Sequence, residues 1–317
     1  MTELVVPGMS QEVCVAIGNF DGVHRGHGAM LAELRQLSRR LGAAAVAVTF
    51  DRHPITVLRP GSAPPLLTTL EDRLQLLRWA GVDDVAVLPV TAELLQMTAE
   101  EFFERILCRQ FRARGIVEGP NFHFGRNRAG DVRLLRALCD AAGMQFQEAS
   151  VVVDSGEMIS SSRIRELLGR GMLRLATELL GHPYRLRGVV QHGAERGRTL
   201  GFPTANLGEI GTLIPAHGVY AGMTHITDQW YPVAVNLGPN PTFADQRDKV
   251  ECHIVGYSGD LYGQQLAVDL LSELRPSRTF GSVVDLVEQI RRDVAACVEC
   301  VRDSDLGGRW RTTQLIR

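Results

Sequence analysis

VCVAIGNFDGVHRGH, residues 13–27, joins an apolar run to a glycine-rich turn and the start of a helical pattern. The sequence predicts that a strand ends at Gly18 and that a helix begins near His27. Small residues let the backbone approach a phosphate closely, and the N–H groups at a helix start favour an anion. His24 and His27 can then donate hydrogen bonds to one bound polyphosphate. Taken alone, the turn favours the simpler interpretation, in which the two histidines only decorate it and cap the helix.

Strand-like and helical patterns alternate outward from this turn as far as residue 180. The apolar runs are residues 13–18, 44–50, 85–89, 115–119 and 151–154. The helical patterns that follow them are residues 28–42, 71–81, 99–111, 130–143 and 160–171. This alternation indicates βαβ units in an α/β fold, with a parallel sheet and ligands at the carboxyl ends of its strands.

The pattern changes after Gly181, His182 and Pro183. Short segments rich in Val, Tyr, Thr and His, separated by Gly and Pro, occupy residues 184–193, 218–226, 230–238, 249–257 and 264–274. They predict an all-β barrel or sandwich, closed by a C-terminal helix over about residues 283–302. We therefore expect one domain over residues 1–182 and another over residues 183–317.

Composition narrows the classes of partner. The 317 residues include 34 Lys and Arg against 36 Asp and Glu, without a long block of like charge, so nucleic acid and membranes are not expected partners. Neither a signal-peptide pattern nor an apolar run of about 18 residues occurs, which predicts a cytoplasmic protein. A monomer or a weak homo-oligomer is expected. Six scattered cysteines indicate reduced thiols, and the CxxC of Cys297 and Cys300 has no second ligand pair for zinc.

A second phosphate-binding candidate is ISSSRIR, residues 159–165. Its serines can cap a helix start, and its arginines can reach phosphates with forked guanidinium groups. Arg163 and Arg165 are two apart on a helix and point to different sides, so only one is expected to face a site. By itself the segment favours a capped surface helix.

GxFDGxHxGH together with ISSxRIR resembles the HxGH nucleotidylyltransferase superfamily, whose domain is Rossmann-like. With GPNFHFGRNRAGD, residues 119–131, the chain is similar to bacterial FAD synthetases. The resemblance implies catalytic roles for His24, His27 and Arg163 and favours Arg163 over Arg165. It implies that ATP is held by Gly18, Phe20, Asp21, His24, His27, Ser161 and Arg163, with Asn121 beside the flavin or its phosphate.

Two positions depart from that family's pattern. Arg52, in FDRHP at residues 50–54, replaces the usual Pro of an FxPHP segment and puts the shape of that flavin loop in doubt. Asn121 stands where many relatives have Asp, and either residue can hydrogen-bond there.

GRTLGFPTANL, residues 197–207, is the candidate phosphate loop of the second half. The chain contains no GxxxxGK[ST], so phosphate binding here needs another geometry. Backbone N–H groups can meet phosphate, while the oxygens of Thr204 and Asn206 suit Mg²⁺. Glu251 lies in an alternating strand and can accept a proton from a hydroxyl nucleophile. Taken alone, the loop is interpreted as an ordinary turn and Glu251 as a solvated strand residue.

With GVYAG, NPTF, GDLYG and LRPSRTF, this half resembles the riboflavin kinase module over nearly all of residues 183–300. The resemblance implies that Glu251 is the catalytic base for the riboflavin 5′-hydroxyl. It implies that Mg-ATP is organised by Gly197, Arg198, Gly201, Thr204 and Asn206, with the metal at the last two. Ser277 replaces an acidic residue common in relatives, which weakens any role for its loop.

The two resemblances together imply a bifunctional riboflavin kinase and FAD synthetase that uses ATP and Mg²⁺, with riboflavin, FMN and FAD as substrates and products. Two alternatives stay open on the sequence. In the first, the N-terminal domain has diverged and only the kinase is active; in the second, the chain is a flavin-binding regulator without turnover. The histidine pair, Arg163, PTAN and Glu251 argue against a regulator, because a pure binder does not need all of them.

Overall fold

The computed structural model describes residues 12–193, 196–240 and 245–304. The described chain forms two compact units. The first contains the residues up to Pro64 together with Leu70–Ser160, and the second contains Pro65–Thr69 and the residues from Ser161 onward.

A five-stranded parallel sheet forms the centre of the first unit, in the order β3-β2-β1-β4-β5. Its strands are Val13–Ile17 (β1), Ala44–Phe50 (β2), Asp84–Leu88 (β3), Ala113–Glu118 (β4) and Gln145–Glu148 (β5). Every residue of β1 is buried. Side chains alternate along the strand, so Val15 and Ala16 enter separate hydrophobic clusters on opposite faces. This two-sided burial explains why the strand is a continuous apolar run.

Helices connect these strands. They are Arg25–Leu41 (α1), Ile55–Leu58 (α2), Leu70–Trp79 (α3), Ala92–Gln96 (α4), Ala99–Phe102 (α5) and Val132–Ala142 (α6). A π-helix, Phe103–Gln110, continues α5, and a 3₁₀ turn covers Arg126–Arg128. The predicted α/β alternation is therefore confirmed for the first four strands.

The prediction of a core strand at residues 151–154 is wrong. The fifth parallel strand is β5, and only Val153–Asp154 (β6) is extended, pairing antiparallel with Glu157–Met158 (β7). β5 has the polar sequence QFQE and lies at the sheet edge, where a strand needs little apolar surface. Val151 and Val153 are instead 48% and 59% exposed, so this apolar run is not part of the core.

The second unit is a closed six-stranded barrel in the order β10-β11-β12-β9-β8-β13, with the cycle closed by β10 and β13. Its strands are Tyr184–Gln191 (β8), Ala205–Gly208 (β9), Gly218–Ile226 (β10), Gln229–Asn240 (β11), Asp245–Ile254 (β12) and Gln265–Pro276 (β13). Its helices are Ser161–Gly169 (α7), Leu173–Leu180 (α8), Arg196–Thr199 (α9) and Val283–Asp303 (α10). The barrel alternative and the C-terminal helix are confirmed, and closure gives each of the six strands two neighbours.

The cysteines are spread over both units, and two of them lie in α10. All six cysteines are free. Cys297 is buried against the barrel, where burial raises the pKa of its thiol to about 11. Within the described ranges, no group of three His, Cys, Asp or Glu side chains is placed to hold a metal. Within the same ranges, no helix is long and apolar enough to cross a bilayer.

Candidate functional sites

The turn between β1 and α1 places both motif histidines at the helix start. His24 is the N-cap of α1, and its Nδ1 accepts a hydrogen bond from the backbone N–H of His27 at 3.3 Å. An accepting Nδ1 leaves the proton of the neutral ring on Nε2, which can donate to a ligand. Capping and ligand donation are therefore compatible, because they use different nitrogens of one ring.

The two histidine rings stack. Their centroids are 3.7 Å apart with an interplanar angle of 14°. Gly26 makes room for this pair, because a Cβ at that position would lie 3.1 Å from His24 Nδ1 and 3.4 Å from the carbonyl oxygen of Ile159. The glycine of the HxGH motif therefore keeps space for the stacked rings.

Phe20 and Asp21 lie beneath the turn. Both are buried, and the Phe20 ring meets the edge of His27 at a centroid distance of 5.2 Å. Phe20 and Val23 have left-handed backbone angles (φ 46° and 37°), an uncommon conformation that reverses the chain between β1 and α1. These contacts indicate that buried Phe20 packs against the His27 ring from the interior of the unit.

His27 is neutral in this environment. Burial, and then the charge of neighbouring His24, hold the pKa of His27 well below 6.5. Its Nδ1 is buried without a hydrogen-bond partner among the described residues, so Nε2 is the nitrogen that can meet a ligand.

This pKa shift predicts a loss of stability in acid. Below about pH 6.5 the unfolded chain binds a proton at His27 and the folded chain does not, so the free energy of unfolding falls as the pH falls. The slope is at most about 1.4 kcal/mol per pH unit. Denaturant unfolding between about pH 7.5 and about pH 5.5 should show this loss in the wild type and a smaller one in His27→Gln. Identical pH profiles for the two proteins would contradict a neutral His27.

A cavity of about 820 Å³ opens beside the turn, which Gly18 and Asn19 bring to its wall. Its apolar lining includes Phe50, Ile55, Leu94, Phe102, Phe122 and Phe124. Polar groups in the wall include His53, Arg59, Asn121, His123 and Arg128. Apolar walls with a few polar groups, at this volume, are typical of sites for aromatic small molecules.

The loop of residues 119–131 forms one wall of this cavity. The rings of Phe122 and Phe124 stack at 5.5 Å, and the Asn121 amide lies 3.9 Å from Met158 Sδ. Gly125 has φ 72°, and a Cβ there would lie 2.6 Å from the backbone nitrogen of Ala99. The glycine therefore lets the loop pack directly on the start of α5.

Sequence reasoning missed part of the lining. Leu94 and Phe102 come from α4 and α5, whose starts are readable as Thr91 and Thr98 N-caps but whose contact with the cavity is set by packing. Arg52 is not in the lining, since its side chain is 61% exposed and pairs with Asp51 at 3.2 Å. The departure at Arg52 therefore leaves the described wall of the cavity intact.

The serine-arginine segment begins α7, in the second unit. Ser161 and Arg163 are both partly exposed there. Arg165 donates from Nε to the carbonyl oxygen of Pro65 at 2.7 Å, also within the second unit. The role of Ser161 and Arg163 beside the histidines stays a prediction.

In the barrel, Glu251 lies between two asparagines. The strand register pairs it with Asn206 of β9 on one side and Asn236 of β11 on the other. Val250 and Cys252 are buried, whereas Glu251 points to the opposite face and is partly exposed. Residues paired in this way have Cβ atoms about 5 Å apart. The structure therefore brings together Glu251 and Asn206, which are distant in the sequence.

Two glycines bring the loop before β9 close to the PTAN side chains. A Cβ on Gly193 would lie 2.3 Å from Asn206 Nδ2. A Cβ on Gly197 would lie 2.4 Å from the carbonyl oxygen of Phe202 and 3.4 Å from Thr204 Oγ1. The backbone of this loop can thus approach a ligand held by Thr204 and Asn206.

The remaining barrel predictions lie around this loop. Gly201 has φ 88°, Arg198 is exposed on α9, and His253 Nδ1 lies 2.8 Å from the carbonyl oxygen of Pro203. Sequence reasoning missed His253, although it follows Glu251 by two residues and therefore shares its face of β12. Ser277 Oγ is buried without a hydrogen-bond partner among the described residues, and nothing in the structure gives it a role.

A histidine-bearing turn at the carboxyl edge of a parallel sheet, beside an aromatic cavity, defines the first unit as an HxGH-type nucleotidylyltransferase domain. The second unit is a barrel in which Glu251 pairs with Asn206. The FAD synthetase family model matches residues 7–163, and the riboflavin kinase family model matches residues 180–301.

Curated relatives extend over both units. A bifunctional riboflavin kinase/FMN adenylyltransferase from Escherichia coli K12 is 36% identical over 285 residues, covering 89% of this chain and 91% of that protein. One from Pseudomonas fluorescens is 38% identical over 291 residues, with the same coverage. The chain belongs to the bifunctional riboflavin kinase/FMN adenylyltransferase family.

A solved structure from Streptococcus pneumoniae has the same fold. It matches with a TM-score of 0.81 and 30% identity, covering 93% of this chain and 96% of that one. It is named a macrolide-efflux protein, a name that differs from those of the curated relatives.

Proposed function

We propose that this chain phosphorylates riboflavin to FMN in its barrel and adenylylates FMN to FAD in its α/β unit, with one ATP consumed in each step. The observation that carries the proposal is the histidine-bearing turn, whose Gly18 and Asn19 line a flavin-sized aromatic cavity within the first unit. The pairing of Glu251 with Asn206 in the barrel supports the kinase step.

In the kinase step, Glu251 accepts the proton of the riboflavin 5′-hydroxyl as its oxygen attacks the γ-phosphate of ATP. The new P–O bond forms as the bond to the β-phosphate oxygen breaks, giving FMN and ADP. Thr204 and Asn206 offer the hard oxygens that suit Mg²⁺, and their place against the glycine-lined loop fits that ion. Bound Mg²⁺ supplies charge neutralisation on the phosphates. The loop of Gly197, Arg198 and Gly201 positions the nucleotide.

In the adenylyl step, a phosphate oxygen of FMN attacks the α-phosphate of a second ATP, and pyrophosphate leaves. A phosphate dianion is already a nucleophile, so no covalent enzyme intermediate is needed. His24 and His27 donate from Nε2 to oxygens that gain charge in the transition state. Asn121 lies in the cavity wall and orients the flavin or its phosphate.

Nucleotide-binding roles for Ser161 and Arg163 remain part of the proposal, supported by the resemblance of ISSSRIR to the family motif. The bond between Arg165 and the Pro65 carbonyl supports Arg163 as the arginine that meets phosphate, because it gives Arg165 a separate role. We place the boundary between the activities near residue 182, supported by family models that end at 163 and begin at 180. A cytoplasmic location remains part of the proposal, supported by six free thiols and a need for ATP. A monomeric or weakly homo-oligomeric state, without nucleic-acid or membrane partners, also remains part of it.

One product assay tests the proposal against its alternatives. The protein is mixed with riboflavin and Mg-ATP, and flavins are separated by chromatography. FAD is expected. FMN alone would favour a kinase with a diverged first unit, and unchanged riboflavin would favour a flavin-binding regulator.

Gly193→Ala should impair only the kinase. The new methyl would lie 2.3 Å from Asn206 Nδ2, so the Asn206 amide must move, and misplacement of about 1 Å can cost about 10²-fold in rate. Stability should change little, because the displaced group is the end of a flexible side chain. Steady-state rates of FMN formation and of FAD formation from supplied FMN measure the effect. Gly211→Ala, where a Cβ meets nothing within 4 Å, is the matched control.

A further inference from the structure

Two buried ionisable side chains lie under the GNFDG turn without a part in the proposed chemistry. Glu118 ends β4 and Arg73 lies in α3, and each is 2% exposed. Burying charged groups costs several kcal/mol unless hydrogen bonds and counter-charges compensate. Their contacts therefore indicate what they stabilise.

Glu118 replaces a missing sheet hydrogen bond. Its Oε1 accepts from the backbone N–H of Ile17 at 2.6 Å. N–H groups alternate in direction along a strand, and that of Gly18 donates to Val48 of β2, so that of Ile17 points toward β4. The pairing of β1 with β4 ends at Val15 and Ile116, so the carboxyl group supplies the acceptor where the strands separate.

This separation occurs where ligands bind in such sheets. β2 and β3 extend the sheet on one side of β1, and β4 and β5 extend it on the other. The crevice at the carboxyl ends of β1 and β4 is thus the topological switch point. The backbone N–H of Gly119, first residue of the 119–131 loop, also hydrogen-bonds Glu118. Glu118 therefore joins the bases of both loops of the site.

Arg73 holds the other side of Gly18. One of its terminal nitrogens donates to the carbonyl oxygen of Asn19 at 2.7 Å, and Thr49 Oγ1 donates to the same oxygen at 3.2 Å. Burial lowers the pKa of Arg73, while the carboxylates of Asp21 and Asp51 act in the opposite direction. Asp21, 3% exposed, is thus a counter-charge for Arg73.

We propose that Glu118 and Arg73 form a turn brace, a pair of positioning residues that clamp the Ile17 N–H and the Asn19 carbonyl on either side of Gly18. The turn brace sets the path of the chain into His24 and His27, and so the direction of their Nε2 atoms. This inference rests on the proposed adenylyl transfer in the first unit.

Four variants of the full chain test the turn brace. Glu118→Leu removes the acceptor and Arg73→Met removes the donor. Glu118→Gln keeps an acceptor, and Arg73→Lys keeps a donor. Loss of the clamp should lower kcat for FAD formation from FMN and Mg-ATP by about 10²-fold, with KM for FMN changed by less than about threefold. The conservative variants should recover part of that loss. FMN formation by the same preparations is the internal control.

A second readout needs no reaction. The stacked rings of His24 and His27, 3.7 Å apart, should shift each other's ring-proton NMR signals. Glu118→Leu and Arg73→Met should reduce those shifts without substrates present. A wild-type protein that made no FAD would count against the proposed function, while the NMR comparison would still decide on the brace.

Three outcomes would overturn the turn brace. One is wild-type kcat and unchanged histidine shifts in Glu118→Leu and Arg73→Met. Another is a raised KM for FMN at constant kcat, which would make these residues part of substrate binding. The third is activity lost in all four variants only in proportion to the unfolded fraction seen by circular dichroism.

Discussion

Glu251→Ala should lower the rate of FMN formation from riboflavin by about 10²- to 10⁴-fold, the usual contribution of a general base. Its partners in the neighbouring strands, Asn206 and Asn236, carry amides that cannot replace a carboxylate as base. KM for Mg-ATP should change much less, because Thr204 and Asn206 remain. Steady-state kinetics with riboflavin and then Mg-ATP as the varied substrate measures both effects.

The same Glu251→Ala protein should convert supplied FMN to FAD at the wild-type rate. Glu299→Ala, which removes an exposed carboxylate from α10, is the matched control and should keep both activities. A folded Glu251→Ala protein that retained FMN formation would exclude Glu251 as base.

His27→Ala should lower FAD formation from FMN by about 10²- to 10³-fold while FMN formation continues. The change removes a hydrogen-bond donor to the charge that develops in the transition state. Deleting such a donor lowers the rate by about this factor. Folding should tolerate it, because His27 Nδ1 is buried without a partner among the described residues. Pyrophosphate release with FMN and Mg-ATP gives the rate.

Two variants sharpen the His27 result. His27→Gln keeps an amide donor and should retain more activity than His27→Ala. His225→Ala, an exposed histidine of the barrel, should leave both activities unchanged. If His27→Ala silenced both reactions in a protein that remained folded, the proposed division between the two units would be wrong.

Local sequence was sufficient for much of the fold. β1 and β2 are buried on both faces, and β3 and β4 each contain a short apolar run, so all four strands were predictable from local sequence. The barrel strands alternate, as in β8, where every second residue is buried. β5 was not predicted because its sequence, QFQE, is polar, as its position at the sheet edge allows.

The candidate sites likewise contain parts that local sequence indicates and parts that depend on packing. The GNFDGVHRGH turn, the PTAN loop and Glu251 were singled out from residue types together with the family resemblance, because such motifs consist of a few consecutive residues, and their roles stay predictions. The cavity lining from α4 and α5, Gly193 beside Asn206, and His253 at the Pro203 carbonyl were not identified. Each of these depends on how separate elements pack.

The sequence by itself determined the two-part architecture and the family, because these reside in hydrophobic periodicity and in local runs of a few residues. Only the tertiary structure decided what holds the first motif in place. Glu118 lies 101 residues from the Ile17 N–H that it accepts, and Arg73 lies 54 residues from the Asn19 carbonyl that it clamps. Contacts across such distances arise when strand register and helix packing bring remote residues together.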